Sequence, residues 1–311
     1  LIYVNNGTGS PFSDAPLGFG TDSGKTYDVA VGDLDLDGDL DIVAGNRSGP
    51  GVYYLNDGSA DLVTDNFGDG TPFTNQNRRT WKVALVDVDQ DGDLDYIEVN
   101  DGAPNSLYRN LLVENNELSF DREDKISNDS FVSRSLAIGD VNNDGDLDLI
   151  TGDQNGPNRY YAWNSVGGDF FGGANVHNTS NTTFSLALAD LNGDGFVDLI
   201  EGNQGAPTLV YYSDPSAPVT FLDPVVVGNS IIAHTTVALV VRDFDRDGDI
   251  DIVEVNNGDW DDDGDEQILL DPTPRVPQPV RLFLNNGDGT FANALEDIPL
   301  LKQKPFDAEA G

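Results

Sequence analysis

The sequence predicts an all-β fold: a β-propeller of four-stranded blades, with five complete repeats plus a partial blade shared by the two termini, about six blades in all. Three observations predict it. An aspartate-rich run recurs at near-constant spacing, each run is flanked by short segments that read as strands, and no stretch carries a helical period. The runs are "DLDLDGDLD" from Asp33, "DVDQDGDLD" from Asp87, "DVNNDGDLD" from Asp140, "DLNGDGFVD" from Asp190 and "DFDRDGDID" from Asp243, at steps of 54, 53, 50 and 53 residues. A unit of about 50 residues with four short strands has the size and content of one propeller blade.

Each unit has the same anatomy. A short alternating stretch precedes the acid run ("YDVAVG", "WKVALV", "RSLAIG", "FSLALA"), and a β-branched or Leu-rich stretch follows it ("LDIVAGN", "LDYIEVN", "LDLITGD", "VDLIEGN"). These are the first and second strands. A Gly, Asn and Pro turn ("NRSGPG", "NDGAPN", "DQNGPN", "NQGAPT") leads into a Tyr-rich third strand ("GVYYLNDG", "SLYRN", "RYYAWN", "LVYYSD"), and a less regular fourth completes the blade. The repeats are placed at 21–80, 81–133, 134–183, 184–235 and 236–303 of a single propeller over 1–311. Residues 1–12 match the third-strand segment of 281–291, and "KPFDAEAG" at the other end aligns with "KTYDVAVG". Residues 1–20 are therefore expected to supply strands three and four of a partial blade, and 304–311 its first strand. The alternative is a slice of a longer array, and a chain opening at Leu1 without Met reads as a processed or excised piece.

Composition narrows the partners. The 311 residues carry 55 acids against 16 bases, a formal net charge of −39, which excludes attraction to nucleic acid or to an anionic membrane surface. With 38% hydrophobic residues and no apolar run long enough to span a bilayer, the sequence predicts a globular core and no membrane insertion. Cysteine is absent, which removes disulfide and thiol chemistry.

The acid runs have the pattern of a hard-cation loop. Ca²⁺ takes about six to eight oxygens, and a loop with carboxylates at positions 1, 3, 5 and 9, a backbone carbonyl at 7 and Gly at 6 for the turn supplies them. The expected ligands at 1, 3, 5 and 9 are Asp33, Asp35, Asp37 and Asp41; Asp87, Asp89, Asp91 and Asp95; Asp140, Asn142, Asp144 and Asp148; Asp190, Asn192, Asp194 and Asp198; Asp243, Asp245, Asp247 and Asp251. Position 7, filled by Asp39, Asp93, Asp146, Phe196 and Asp249, is expected to lend only its carbonyl, because Phe196 is tolerated there. About five Ca²⁺ ions follow, and a sixth if a further loop binds. The bland reading of one such run is a solvated turn; five registered copies favour the metal, since like charges packed into every hairpin need a counterion. The runs hold 22 of the 55 acids, so much acidity is left for solubility, as in a saline setting.

Spacing excludes other calcium loops. An EF-hand needs an acid at position 12 and flanking helices; Glu98, Glu201 and Glu254 fall there, but Ala44 and Thr151 break the rule and the flanks are strands. The nine-residue period of a calcium β-helix is absent, and thrombospondin-type repeats bring cysteines. What remains resembles the integrin-α-like propeller repeat, the FG-GAP or VCBS repeat, with "DxDxDGDxDhhhxN" between the first two strands of a blade. The resemblance implies a Ca²⁺ in each first hairpin and a place at the cell surface or outside the cell. It implies no single activity: such propellers serve in adhesion, as lectin-like or scaffold modules and as parts of enzymes.

A partner site is sought where the repeat is broken. The distance from ligand 1 to the polar residue closing the third strand is 23 to Asn56, 23 to Asn110, 24 to Asn164 and 23 to Ser213, but 42 to Asn285. The insertion, within 256–280, contains Trp260 and a further acid run, with Asp259, Asp261, Asp263 and Gln267 at positions 1, 3, 5 and 9 of an extra loop or else in a solvated loop. The expected partner is another protein or a glycan at the cell surface, or copies of the same chain. Trp81, in the slot of Tyr27 and Phe184, and the third-strand aromatics Tyr53, Tyr54, Tyr160, Tyr161, Trp163, Tyr211 and Tyr212 read as packing before sugar stacking. His177 and His234 belong to no motif. With no G-x-S-x-G, H-E-x-x-H or Cys/His pair, no catalytic residue is assigned. The expected function is a non-catalytic extracellular Ca²⁺-binding propeller in adhesion, scaffolding or assembly. A carbohydrate-binding propeller and a polysaccharide-degrading enzyme are the alternatives.

Overall fold

The computed structural model describes residues 24–58, 67, 69–121, 124–126, 131–217, 219–228, 235–257 and 280–298. These form five four-stranded antiparallel sheets, each with its strands paired in sequence order. The first sheet comprises β1 (Thr26–Gly32), β2 (Asp41–Asn46), β3 (Val52–Tyr54) and β4 (Thr71–Pro72), and the second β5 (Thr80–Val86), β6 (Asp95–Asn100), β7 (Ser106–Tyr108) and β8 (Asp124–Lys125). The third is built from β9 (Ser133–Gly139), β10 (Asp148–Asp153), β11 (Arg159–Asn164) and β12 (Asp169–Asn175). The fourth has β13 (Thr183–Ala189), β14 (Asp198–Asn203), β15 (Leu209–Tyr211) and β16 (Val225–Val226), and the fifth β17 (Thr235–Arg242), β18 (Asp251–Asn257), β19 (Val280–Asn285) and β20 (Phe291–Ile298). The irregular fourth strand of the sequence is two residues long in three sheets. The chain divides into two compact units, Leu1–Phe131 with the first two sheets and Val132–Gly311 with the other three. The termini expected to share a blade, the 258–279 part of the insertion with Trp260, Asp259, Asp261, Asp263 and Gln267, and His234 lie outside the described residues.

Within each unit, apolar faces of successive sheets meet. In the first unit Leu34, Val43, Val83, Tyr96 and Tyr108 form one cluster, and Phe73 stacks on Tyr96 with centroids 4.0 Å apart. In the second, Val141, Ile150 and Tyr160 pack with Leu186, Leu199 and Tyr211, and Leu191, Ile200 and Val210 with Ile252 and Phe283. Each large side chain so buried stabilises by roughly 1.5–3 kcal/mol. Close approach requires glycine: a Cβ on Gly45 would lie 2.6 Å from Val83 Cγ1. The third-strand aromatics are packing residues, as the sequence suggests; Tyr54, Tyr160, Tyr161, Trp163 and Tyr211 are buried.

Two features were not expected. The first strand of every sheet carries a register shift, at Thr26/Asp28, Thr80/Lys82, Ser133/Ser135, Thr183/Ser185 and Thr236/Ala238. Such bulges re-aim the residue they skip, which here is Tyr27, Trp81, Arg134, Phe184 or Val237. A single helical turn, α1 (Leu112–Asn115), also interrupts the all-β pattern. In the first and fifth sheets Gly58 (φ 65°) and Gly287 (φ 79°) make tight turns after the third strand. In the second sheet the chain coils once at this place instead and stops at Asn116, which takes φ 56° and returns its N–H to Leu112 at 2.7 Å.

Candidate metal centre

The five acid runs fold into one loop geometry between first and second strands. Gly38, Gly92, Gly145, Gly195 and Gly248 at position 6 have φ between 87° and 107°, and a Cβ added at any of them would meet nothing within 4 Å, so glycine is needed there for conformation and not for space. Position 4 is also left-handed in every loop, at Leu36, Gln90, Asn143, Gly193 and Arg246. The position 1 aspartate accepts the glycine N–H at 2.9–3.1 Å, and the position 5 aspartate accepts the position 7 N–H at 2.9–3.1 Å. These bonds hold one side of each carboxylate on the backbone.

Position 9 does more than the sequence reading assigned. Asp41, Asp95, Asp148, Asp198 and Asp251 are fully buried. In each, Oδ2 accepts the position 2 N–H, of Leu34, Val88, Val141, Leu191 or Phe244, at 2.7–3.2 Å. Oδ1 accepts the N–H of the residue closing the third strand, Asn56, Asn110, Trp163, Ser213 or Asn285, at 2.7–3.0 Å. One carboxylate thus ties the loop, the second strand and the end of the third. Asn164 closes β11 as the sequence suggests, but the donor to Asp148 is Trp163 one residue before it, because the bond uses a backbone N–H and needs no polar side chain.

Carboxylates converge where the runs are richest in Asp. Oxygens of Asp33, Asp35 and Asp37, of Asp87, Asp89 and Asp95, and of Asp243, Asp245 and Asp251 each lie within 4.8 Å of one another. The third and fourth loops carry Asn142 and Asn192 at position 3. In the third, Tyr160 donates to Asp148 Oδ2 at 2.9 Å and accepts from Asn142 Nδ2 at 3.2 Å. Burial, ahead of neighbouring negative charge, pushes Asp95 up to about 7 and Asp89 and Asp198 up to about 6, and raises Asp35, Asp41 and Asp148. Asp89 Oδ1 and Asp91 Oδ2 are buried and accept no hydrogen bond. Orphaned carboxylate oxygens in an all-oxygen cluster fit a hard divalent cation.

Position 7 is not idle, contrary to the expectation that only its carbonyl matters. Asp93 is buried and accepts Val113 N–H at 3.0 Å, while a Cβ on Gly58 or Gly287 would strike Asp39 or Asp249. These side chains pack on the turn after the third strand; Phe196 and Asp146 are half-buried at the same position. The position 12 glutamates are structural. Glu201 accepts Asn158 and Asn181 at 2.9 Å, Glu254 accepts Thr208 and Thr236 at 2.7 and 2.9 Å, and Glu98 lies 3.7 Å from Arg78. None faces its acid loop's cluster among the groups described above.

Four-stranded antiparallel sheets in series, each with an aspartate loop in its first hairpin, define a repeat β-propeller. The FG-GAP-like repeat family model matches residues 33–98, 87–151 and 140–201, together 169 of the 311 residues, and the chain belongs to that family. No curated protein matches the sequence. Among solved structures the chain is similar to the Dos1 propeller, at 13% identity and a TM-score of 0.52, over 88% of this chain and 61% of that one. That likeness carries the propeller fold alone. Among the described residues no helix is long and apolar enough to cross a membrane.

Proposed function

We propose that the chain is an extracellular Ca²⁺-binding propeller that acts without catalysis, in adhesion, scaffolding or assembly. The observation that carries the reading is the shared loop geometry: five position 9 aspartates tie strands together, and in the first, second and fifth loops carboxylates crowd one another, with Asp95 and Asp251 of position 9 among them. A bound Ca²⁺ would neutralise that crowding. Asp33, Asp35 and Asp37, with their counterparts in the other loops, would hold it, and the position 9 carboxylates would pass the order to the third strand. Calcium modules outside cells work at about 10⁻⁴–10⁻³ M, a concentration that cytosol lacks, which supports the location. The test is thermal unfolding in EDTA, with Ca²⁺ and with Mg²⁺: a large loss in EDTA restored by Ca²⁺ better than by Mg²⁺ is expected, and an unchanged melting temperature would sink the reading.

One observation favours glycan recognition as the mode of adhesion. Tyr27, 38% exposed, meets Trp81 edge-on at 4.7 Å, and the Arg47 guanidinium lies 5.2 and 5.3 Å from the two ring centroids while donating to the Tyr27 hydroxyl. Bulges aim both aromatics, and a ring with an adjacent cation suits a sugar face or an acidic saccharide. A glycan array probed with wild type and Tyr27→Ala discriminates: binding lost in the variant supports it, and a blank array for the wild type refutes it.

A further inference from the structure

The second loop differs from the other four on the side facing away from its expected ligands. A carboxylate oxygen from each of Asp91, Asp93 and Glu114 lies within 4.8 Å of the others. Asp93 is fully buried; its Oδ2 accepts Val113 N–H at 3.0 Å, but its Oδ1, also buried, has no hydrogen-bond partner. An ion in the loop would account for the orphaned oxygens of Asp89 and Asp91, since positions 3 and 5 supply side-chain ligands. It would not account for Asp93 Oδ1, because position 7 reaches a loop ion through its backbone carbonyl. A buried charged oxygen without a donor costs several kcal/mol unless something pairs with it.

The remaining groups do not supply that partner. Leu112 N–H is directed to Asn110 Oδ1 at 3.2 Å, and the Arg109 guanidinium, which faces Asp89, is engaged by Asp121 at 2.8 Å. The sequence change that creates the cluster is local: where the first and fifth sheets place a glycine against position 7, the second places α1, and α1 carries Glu114 on its exposed side. The N–H groups of Leu112 and Val113 at the start of α1 both favour the Asp93 carboxylate, Val113 through Oδ2, but no hydrogen bond reaches the buried Oδ1, and the cap leaves Glu114 unexplained.

We propose that Asp91, Asp93 and Glu114 form a second cation site in the second sheet, distinct from the repeat's loop site, that takes a hard divalent cation of the Ca²⁺ class. Three carboxylates and no nitrogen or sulfur donor select for such an ion. Asp91 belongs to both sites, one oxygen bonded to Asp93 N–H and the other free, so the two ions would sit side by side and the exposed Glu114 would form the mouth of the outer one. The proposal rests on the loop reading only in sharing Asp91.

The test counts ions on the full chain by native mass spectrometry in saturating Ca²⁺, for wild type, Glu114→Gln, Asp93→Asn and, as a loop control, Asp35→Asn. One ion fewer for Glu114→Gln and for Asp93→Asn, with unchanged circular dichroism, is expected. Glu114→Lys keeps the readout independent of folding: its ammonium group should replace the ion, so the count falls by one while the melting temperature in EDTA rises by a few degrees. The same ion count for Glu114→Gln as for wild type, alongside one ion lost in Asp35→Asn, overturns this site and leaves the loops standing. A wild type that takes up no ions overturns both.

Discussion

Asn110 Nδ2 donates to the backbone carbonyl of Leu34, 76 residues earlier, at 2.9 Å, and Asn285 Nδ2 makes the equivalent bond to Leu191 at 2.7 Å. Each asparagine also gives its backbone N–H to the position 9 aspartate of its own sheet. Leu34 and Leu191 are position 2 of the preceding loop, and both are buried in the apolar cluster between sheets. One residue therefore links two successive acid loops, so that order in one is felt at the interface with the next.

Removing that link should cost stability without touching a carboxylate. Asn110→Ala leaves the buried Leu34 carbonyl unpaired, and about 1–3 kcal/mol is expected. Asn56 donates instead to Leu40 of its own hairpin, at 3.3 Å and in an exposed setting, so Asn56→Ala should cost under about 0.5 kcal/mol. Urea unfolding of the two variants in calcium compares them directly, and equal losses would contradict the assignment of Asn110 as a staple between sheets.

Calcium uptake should separate into two classes. The first, second and fifth loops offer Asp at position 3, whereas the third and fourth offer Asn142 and Asn192, one charge fewer each, and ligand charge tunes affinity. The third is further occupied, because Tyr160 holds both Asn142 and Asp148. Isothermal titration of the metal-free Glu114→Gln chain, which leaves the five loops alone, should show about three tighter events followed by two weaker ones. Asn192→Asp should move one event into the tight class, and a single uniform phase would argue against a ranking by charge.

The pH dependence has opposite signs with and without the ion. Burial raises Asp95 to about 7 and Asp198 to about 6 from the ordinary 3.8, so the metal-free fold binds more protons than the unfolded chain. That contribution to stability is fully present below about 4 and is lost as pH climbs through about 6–7. Calcium requires the ionised carboxylates and releases their protons, so its stabilising effect grows across the same window. Scanning calorimetry from pH 5 to 8 should show the EDTA melting temperature falling while the gap between Ca²⁺ and EDTA widens.

What the sequence makes legible is whatever repeats. The acid-loop positions, three of the strands and the weak fourth recur five times, and recurrence turns a weak motif into a specific one. What it hides depends on backbone geometry or on one blade alone. Position 9 looks like one more ligand because a carboxylate gives no sign of which N–H groups will reach it. Trp163 is passed over for Asn164 because the bond it makes is invisible in side-chain chemistry. Glu114 stands outside every motif, and the missing glycine in 110–119 does not single the turn out, since 213–220 lacks glycine too. The bulged first strand has a faint signal, in the aromatic slot shared by Tyr27, Trp81 and Phe184.

Position 4 yields the last prediction. All five loops place this residue in the left-handed region, with φ of 58° at Leu36, 61° at Gln90, 62° at Asn143, 73° at Gly193 and 69° at Arg246. Asn and Gly adopt that conformation readily, whereas a branched apolar residue is strained by about 1–2 kcal/mol. Leu36 is 50% exposed, so little packing is lost on replacing it. Leu36→Asn should therefore raise stability by about 0.5–1 kcal/mol, and Asn143→Leu should lower it by a similar amount. Because the strain is in the backbone and not in the charges, the gain should appear in EDTA and in Ca²⁺ alike. A gain confined to calcium would instead place the effect in the metal-loaded loop, and no gain in either would show that Leu36 is not strained.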